Sequence, residues 1–263
     1  MIQFDRLLST DSAKAAKALG FGYLNGILYA APHSTAGVGD LCPSSTAGCR
    51  ALCLGLYSGQ ASMVADLENG TNSVRDSRVA KARLFMSDRV FYLNQIALQI
   101  VRLSAKAERE GLKACIRLNG STDIPFERMG FALGGKAAEK VGAKAGERVN
   151  LIDLFEREQF VDYTKIISRL AKAPRNLCLT LSRSEANETE CLDALADGHN
   201  VAVVFAHGLP VSRRWKGFRV IDGDKHDLRH LDPRDASSGF VIGLSPKGAK
   251  AKRDMSGFVL RDY

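Results

Sequence analysis

No stretch of the 263 residues approaches the roughly eighteen apolar residues in a row that a membrane-spanning helix needs. The opening, MIQFDRLLSTDSAKAAKALG, has no basic region followed by an apolar core, so no secretory leader is expected. Tryptophan occurs once, and aromatics, at 7%, do not interleave with the basic clusters as a base-stacking platform requires. There is no G-x4-G-K-[ST] phosphate loop and no G-x-S-x-G nucleophile elbow, which disfavours P-loop and elbow-hydrolase chemistry. No C-x2-C pair is present, and closed zinc sites commonly use such pairs twice. No tandem repeat is visible. A chain without leader or span is expected in a reducing cytoplasm, where crowded cysteines read as metal ligands or catalytic groups rather than disulfides.

What the chain does contain is the composition of an ordinary folded protein. Hydrophobic residues make up 45% and charged residues 25%, so wholesale disorder is not expected. The length suits a single α/β domain over residues 1–263. The net charge of +8 favours polyanions. The basic residues, however, are split among RRWKGFR (213–219), KGAKAKR (247–253) and the run Arg75, Arg78, Lys81, Arg83 and Arg89. Nucleic acid therefore remains a possible partner beside the simpler reading of a solvated basic surface.

Along the chain, Thr10-Asp11 reads as the cap of a short helix closed by Gly20, and Asn25-Gly26 as the turn of a hairpin within FGYLNGILYAAP. Residues 72–110 read as helical, with a second helix starting near Ser87-Asp88. Beyond Gly111 come short strand-like segments, KACIRLNG, QFVDYTK, NLCLTLS, NVAVVFAHG, FRVIDGD and GFVIGLS, with helical stretches such as 165–173 and 185–197 between several of them. This alternation predicts a mostly parallel sheet. In NLCLTLS one face carries Leu177, Leu179 and Leu181 and the other Cys178, Thr180 and Ser182. A consistently small or polar face suits a lumen, so the expected fold is a complete or partial (β/α) TIM-like barrel with the cysteine loop after its first strand, the alternative being an open doubly wound sheet. Residues 128–150, rich in Gly, Ala and Lys, read as an insertion or flexible loop whose Lys136, Lys140 and Lys144 share one side of a helix.

Three of the six cysteines, Cys42, Cys49 and Cys53, fall within twelve residues as C-x6-C-x3-C. On one helix Cys49 and Cys53 would share a face, and PSSTAG is long enough to bring Cys42 back to them. Three thiolates in one place need a cation or cluster to offset their repulsion. A [4Fe–4S] cluster held by three cysteines leaves one iron open or for another ligand, His33, Cys115 and Cys178 being available. Zinc and a buried or redox-active cysteine group are the alternatives. Cys191 reads as a core residue.

Polar residues follow the strand-like segments, where barrel sites gather: Asn119, Ser121, Thr122 and Asp123; Asp162, Tyr163 and Lys165; Ser182, Arg183, Ser184 and Glu185; and His207. Of these, Asn119, Asp123, Ser182 and Ser184 are taken as cofactor-binding candidates, with Arg75 and Arg78 as holders of an anionic ligand. Asp222, Asp224 and Asp227 read as a turn with surface carboxylates, with Asp224 or Arg229 able to anchor a ligand.

The blocks CPSSTAGCRALCLGLYSG (42–59), RDSRVAKARLF (75–85), RLNGSTDIPFE (117–127), VDYTK (161–165), LTLSRSEAN (179–187), VIDGDKHDLRHLDP (220–233) and GFVIGLSPKGAKAKRDMSGFV (239–259) resemble the gene product 88 family of bacterial viruses, over nearly the whole chain from about residue 20. That resemblance implies a phage protein acting in the host cytoplasm with the three cysteines as cluster ligands, and names no reaction. The order strand, Gly-rich loop, three cysteines, helix is also distantly similar to radical S-adenosylmethionine enzymes. That likeness implies S-adenosylmethionine at the open iron. The spacing differs from their usual C-x3-C-x2-C, and no glycine-rich methionine-binding motif follows on the next strand. The expected function is a redox or radical-type activity on a small molecule fed by an electron donor, with no membrane partner. A basic nucleic-acid-binding protein with a structural metal site is the alternative.

Overall fold

A computed structural model of the chain describes residues 6–263; the first five residues of the opening considered above lie outside the described residues. The strands are β1 (Leu8–Ser9), β2 (Tyr23–Leu28), β3 (Lys113–Arg117), β4 (Gly130–Ala132), β5 (Arg148–Asn150), β6 (Gln159–Thr164), β7 (Leu177–Ser182), β8 (Val201–Phe205), β9 (Arg214–Trp215), β10 (Phe218–Asp222), β11 (Val241–Leu244) and β12 (Val259–Leu260). The helices are α1 (Ala13–Leu19), α2 (Ala47–Ala51), α3 (Leu54–Tyr57), α4 (Ser73–Ser87), α5 (Arg89–Arg109), α6 (Gly135–Val141), α7 (Leu151–Leu154), α8 (Glu188–Ala196) and α9 (Ala249–Lys252).

Ten strands form one sheet in the order β1-β2-β3-β6-β7-β8-β11-β10-β9, with β12 beside β8. From β2 to β10 every neighbour is parallel, and β1 and β9 are antiparallel edges. The expected parallel α/β architecture is therefore present, and all its strand C-termini lie along one edge. The path is open between β1 and β9 among the described residues.

The two faces differ as the alternation predicts. Leu177, Leu179 and Leu181 join the main core with Leu93, Ile96, Ala97, Ile100 and Leu103 of α5. Cys178 instead joins a separate cluster with Cys115, Val161, Leu228 and Ala18. α5 begins where Asp88 accepts the amide of Phe91 at 3.0 Å, so the break at Ser87-Asp88 is a capped helix start. Each large apolar side chain that α5 buries contributes about 1.5–3 kcal/mol.

Asn25-Gly26 does not turn. Both residues lie inside β2, paired in parallel with Cys115 and Ile116. A Cβ on Gly26 would come 2.6 Å from a methyl of Leu103, so the glycine serves close approach of α5 to the sheet rather than a hairpin. The first helix is capped one residue later than expected, by Ser12, whose hydroxyl accepts from Ala15. The 128–150 segment folds as the hairpin pair β4–β5 with α6 between, and Phe131, Leu133, Ala137 and Ala138 are buried in the main core. α6 stops at Gly142 in a left-handed conformation, so Lys144 falls beyond it and does not stack with Lys136 and Lys140.

The segment after β10 links the far end of the strand path to its beginning. Lys17 donates to the carbonyl of Asp224 at 2.8 Å, and the rings of Phe21 and Tyr23 meet those of His226 and His230 at 4.9 and 4.8 Å. Within this segment Asp227 pairs with Arg117 at 3.2 Å, and Arg229, with no exposed surface, pairs with Asp232 at 3.2 Å. A layer of buried charge thus lies beside Tyr163, over whose ring Arg117 stacks at 4.7 Å.

Candidate functional site at the strand C-termini

The cysteine loop runs from the end of β2 to α3. Cys42 precedes α2, Cys49 lies within it, and Cys53 falls between α2 and α3. The expected single helix carrying Cys49 and Cys53 is broken: Leu52 caps α2 and Cys53, with φ −51 and ψ 119, starts α3. Gly55 in α3 explains the tight second turn, since a Cβ there would meet Ser121 at 2.8 Å and Pro32 at 3.2 Å.

Four anchors hold this loop. The Thr46 hydroxyl accepts the Cys49 amide at 3.2 Å and donates to Glu185 at 2.9 Å, while the other Glu185 oxygen accepts the amide of Gly48 at 2.7 Å. Glu185, three residues past the end of β7, therefore caps α2 from across the sheet. Gly48 is packed so closely that a Cβ would lie 2.8 Å from the Glu185 carboxylate. The amide of His33 donates to Cys42 Sγ at 3.3 Å, and the amide of Asp123 donates to the carbonyl of Leu41 at 2.9 Å. Arg78 donates to the carbonyl of Gly55 and stacks over Tyr29 at 5.0 Å.

All six cysteines are free thiols. Burial pushes Cys42 up to about 12, and Cys53, Asp123 and Cys49 add to the shift by charge. Burial pushes Cys53 up to about 11; Cys49 adds to it, while Lys165 and Arg78 oppose it. The three thiols therefore share one electrostatic neighbourhood. They do not crowd to a single point: among the described residues no three of His, Cys, Asp and Glu meet as ligands of one metal ion. His33 has a strained φ of 36°, and both its ring nitrogens are buried without partners. Burial and then Arg50 lower its pKa, against opposition from Asp40.

The structure divides the other candidates. Asp123 gives one carboxylate oxygen to Thr164 (2.8 Å) and Arg169 (2.7 Å) and the other to the Lys165 amide (2.8 Å), so it ties β6 to the loop after β3. Asn119 bonds Asp162 at 2.7 Å and shapes the same loop through Ile124 and Thr122. Ser182 accepts from Lys165 Nζ at 3.1 Å. Ser184 donates to the Asn187 side chain at 3.0 Å, within the turn that precedes α8. Arg75 places its guanidinium on the carbonyls of Ala61, Gly70, Leu56 and Leu67 and so clamps the 56–70 segment. Arg78, Asp123 and Ser182 are thus gathered with the cysteines along one edge, whereas Arg75 and Ser184 bind their own loops.

Cys115 lies in the middle of β3 and Cys178 near the start of β7, where Arg234 reaches Cys178 Sγ at 2.7 Å. Cys191 is buried in the main core on α8. His226 and His230 form an H-x3-H pair on the segment after β10, and their rings pack against Phe21 and Tyr23.

A family model described as gene product 88 matches residues 6–262. The chain belongs to the gene product 88 family. No curated protein and no solved structure matches it. No described helix is long and apolar enough to cross a membrane. For this family member, sequence reasoning passed over the Thr46–Glu185 tie. Glu185 stands just past a strand end in LSRSE, but nothing in the sequence joins it to a residue 139 positions earlier.

Proposed function

We propose that this gene product 88 protein is a phage-encoded iron–sulfur protein of the host cytoplasm, holding one [4Fe–4S] cluster through Cys42, Cys49 and Cys53. The remaining iron is open or bound by a non-cysteine group, and the activity is redox or radical-type chemistry on a small molecule, with electrons from an external donor. We read the parallel sheet as a partial (β/α) barrel with the cluster at the C-terminal ends of its strands.

The observation that carries this reading is the donor set itself. Three free thiols, on turns anchored from β2, β3 and β7, are close enough for the charge of one to shift another, in a setting where burial holds Cys42 and Cys53 protonated. As thiols they have only weak sulfur hydrogen bonds, Cys42 with the His33 amide and the Ser121 carbonyl and Cys53 with the Gly55 amide, whereas a metal centre would replace the protons and repay the burial. A single ion needs its ligands at one point, whereas a cluster would take each thiolate on a separate iron and so needs less convergence of the three cysteines. When bound, such a cluster supplies one-electron transfer and Lewis acidity at an open iron.

The chain's own groups prepare this site. The His33 amide donates to Cys42 Sγ and favours its thiolate. Lys165 and Arg78 do the same for Cys53 through charge. Glu185 and Thr46 fix the turn that presents Cys49. The buried, unpartnered imidazole of His33 is the candidate non-cysteine ligand. S-adenosylmethionine is the other candidate for that position.

Anaerobic purification with iron and sulfide analysis tests the proposal. Wild-type protein is expected to be brown with about four irons per chain, and Cys42→Ala, Cys49→Ala and Cys53→Ala each to bleach it. Adding S-adenosylmethionine should change the paramagnetic resonance of the reduced cluster if that cofactor takes the open iron. A colourless preparation with stoichiometric zinc, or one that stays iron-free after reconstitution, overturns the proposal.

A further inference from the structure

We infer that Lys165, Ser182 and Phe258 form a subsite beside Cys53 for the carboxylate or phosphate group of a small anionic ligand. Lys165 directly follows β6 and Ser182 ends β7, so neighbouring parallel strands deliver both to the same edge. The ammonium sits 3.1 Å from Ser182 Oγ and 5.4 Å over the ring of Phe258, which directly precedes β12. Among the described residues no carboxylate lies within ion-pair distance of Lys165 or of Arg78. Every other half-buried or buried lysine or arginine around this edge has an acid or a set of carbonyls: Arg169 has Asp123 and Glu127, and Arg183 has Glu188.

The donors point to one class of ligand. The Ser182 hydroxyl accepts from Lys165, which leaves its own proton to donate, and the ammonium keeps two further N–H groups. Three donors on two adjoining groups, with the Phe258 ring beside the ammonium, suit a carboxylate or phosphate. The inference deepens the cluster reading and rests on it for its charge count. A dipositive cubane with three thiolates carries about one net negative charge, so the two cations beside Cys53 leave about one positive charge for a ligand anion.

The test uses the full chain, purified anaerobically with whatever metal it carries, with lysine labelled at 13Cε. It is titrated separately with succinate and with inorganic phosphate. One lysine resonance, missing in Lys165→Met, is expected to shift saturably, while surface lysines such as Lys136 shift without saturation. Isothermal titration calorimetry with the same two probes reads the variants that lack that resonance: Lys165→Met and Ser182→Ala should weaken the saturable event at least about tenfold, and Lys165→Arg should restore most of it. The tighter of the two probes assigns the group as carboxylate or phosphate. A Lys165 resonance that follows the surface lysines, or saturable binding unchanged in both Lys165→Met and Ser182→Ala, overturns the inference. Iron content separates the two ideas: iron present with no saturable binding sinks the subsite alone, and saturable binding in iron-free protein sinks the cluster alone.

Discussion

Replacing Glu185 by alanine tests how the cysteine loop is held without requiring any metal. Its carboxylate accepts the Gly48 amide at 2.7 Å and the Thr46 hydroxyl at 2.9 Å, and Thr46 in turn caps the Cys49 amide. Hydrogen bonds to a charged group contribute about 1.5–3 kcal/mol each; discounted because Glu185 is half-buried, the pair comes to about 2–4 kcal/mol. α2 has only five residues and cannot persist without its cap, so the loss falls on local opening of residues 45–58 rather than on global unfolding. At a factor of ten per 1.4 kcal/mol, the open population rises roughly 30- to 1,000-fold. Amide hydrogen exchange at Gly48 and Cys49 reads that ratio directly. Glu185→Gln keeps an acceptor and loses the charge, so its exchange should fall between wild type and Glu185→Ala. Unchanged protection of this segment in Glu185→Ala, with exchange elsewhere also unchanged, would refute the claim that a strand-end carboxylate holds the cysteine turn.

Gly48→Ala should loosen the same turn by crowding Glu185, and thermal melts plus iodoacetamide labelling of Cys49 will show a faster-reacting thiol; labelling at the wild-type rate counts against it. Arg169→Met strands the Asp123 and Glu127 carboxylates in a nearly inaccessible site and should cost about 3–5 kcal/mol, read as a lower denaturation midpoint at pH 7. Burial raises Asp162 to about 7, against partial opposition from Arg169 and Arg117. With the folded pKa above the unfolded value, the folded chain binds the extra proton, so stability falls as pH rises from about 4 to about 7. Asp162→Asn should flatten the denaturation midpoint across that window, and an unaltered slope would show that Asp162 does not carry it. Affinity for duplex DNA, if a basic surface were the functional one, would drop steeply between roughly 50 and 200 mM salt; the expected result is weak binding without a saturable, sequence-independent site.

Much of the scaffold is legible in the sequence because short apolar runs ending in Gly or polar residues are local signals. All six segments from KACIRLNG to GFVIGLS contain a strand, and the small face of NLCLTLS is segregated from its leucines. What escapes local reading depends on distant partners. Asn25-Gly26 has turn propensity, but parallel pairing with β3 and the pressure of Leu103 keep it extended. The exchange of β10 and β11 in the sheet order leaves no trace in either strand's composition. Of the site candidates, Asp123 and Ser182 stand where their strand-end positions predict. Arg75 and Ser184 have equally suitable residue types, yet unsatisfied carbonyls and a neighbouring helix start claim them first. Lys165 becomes prominent only once the absence of a carboxylate near it is visible.

Anomalous diffraction at the iron edge from anaerobically grown crystals tests the central claim most directly. The account predicts one compact iron peak bounded by the sulfurs of Cys42, Cys49 and Cys53 at the C-terminal edge of β2, β3 and β7. Sulfurs joined as a disulfide, a lone zinc ion, or a reconstituted protein with no iron at that edge would contradict it.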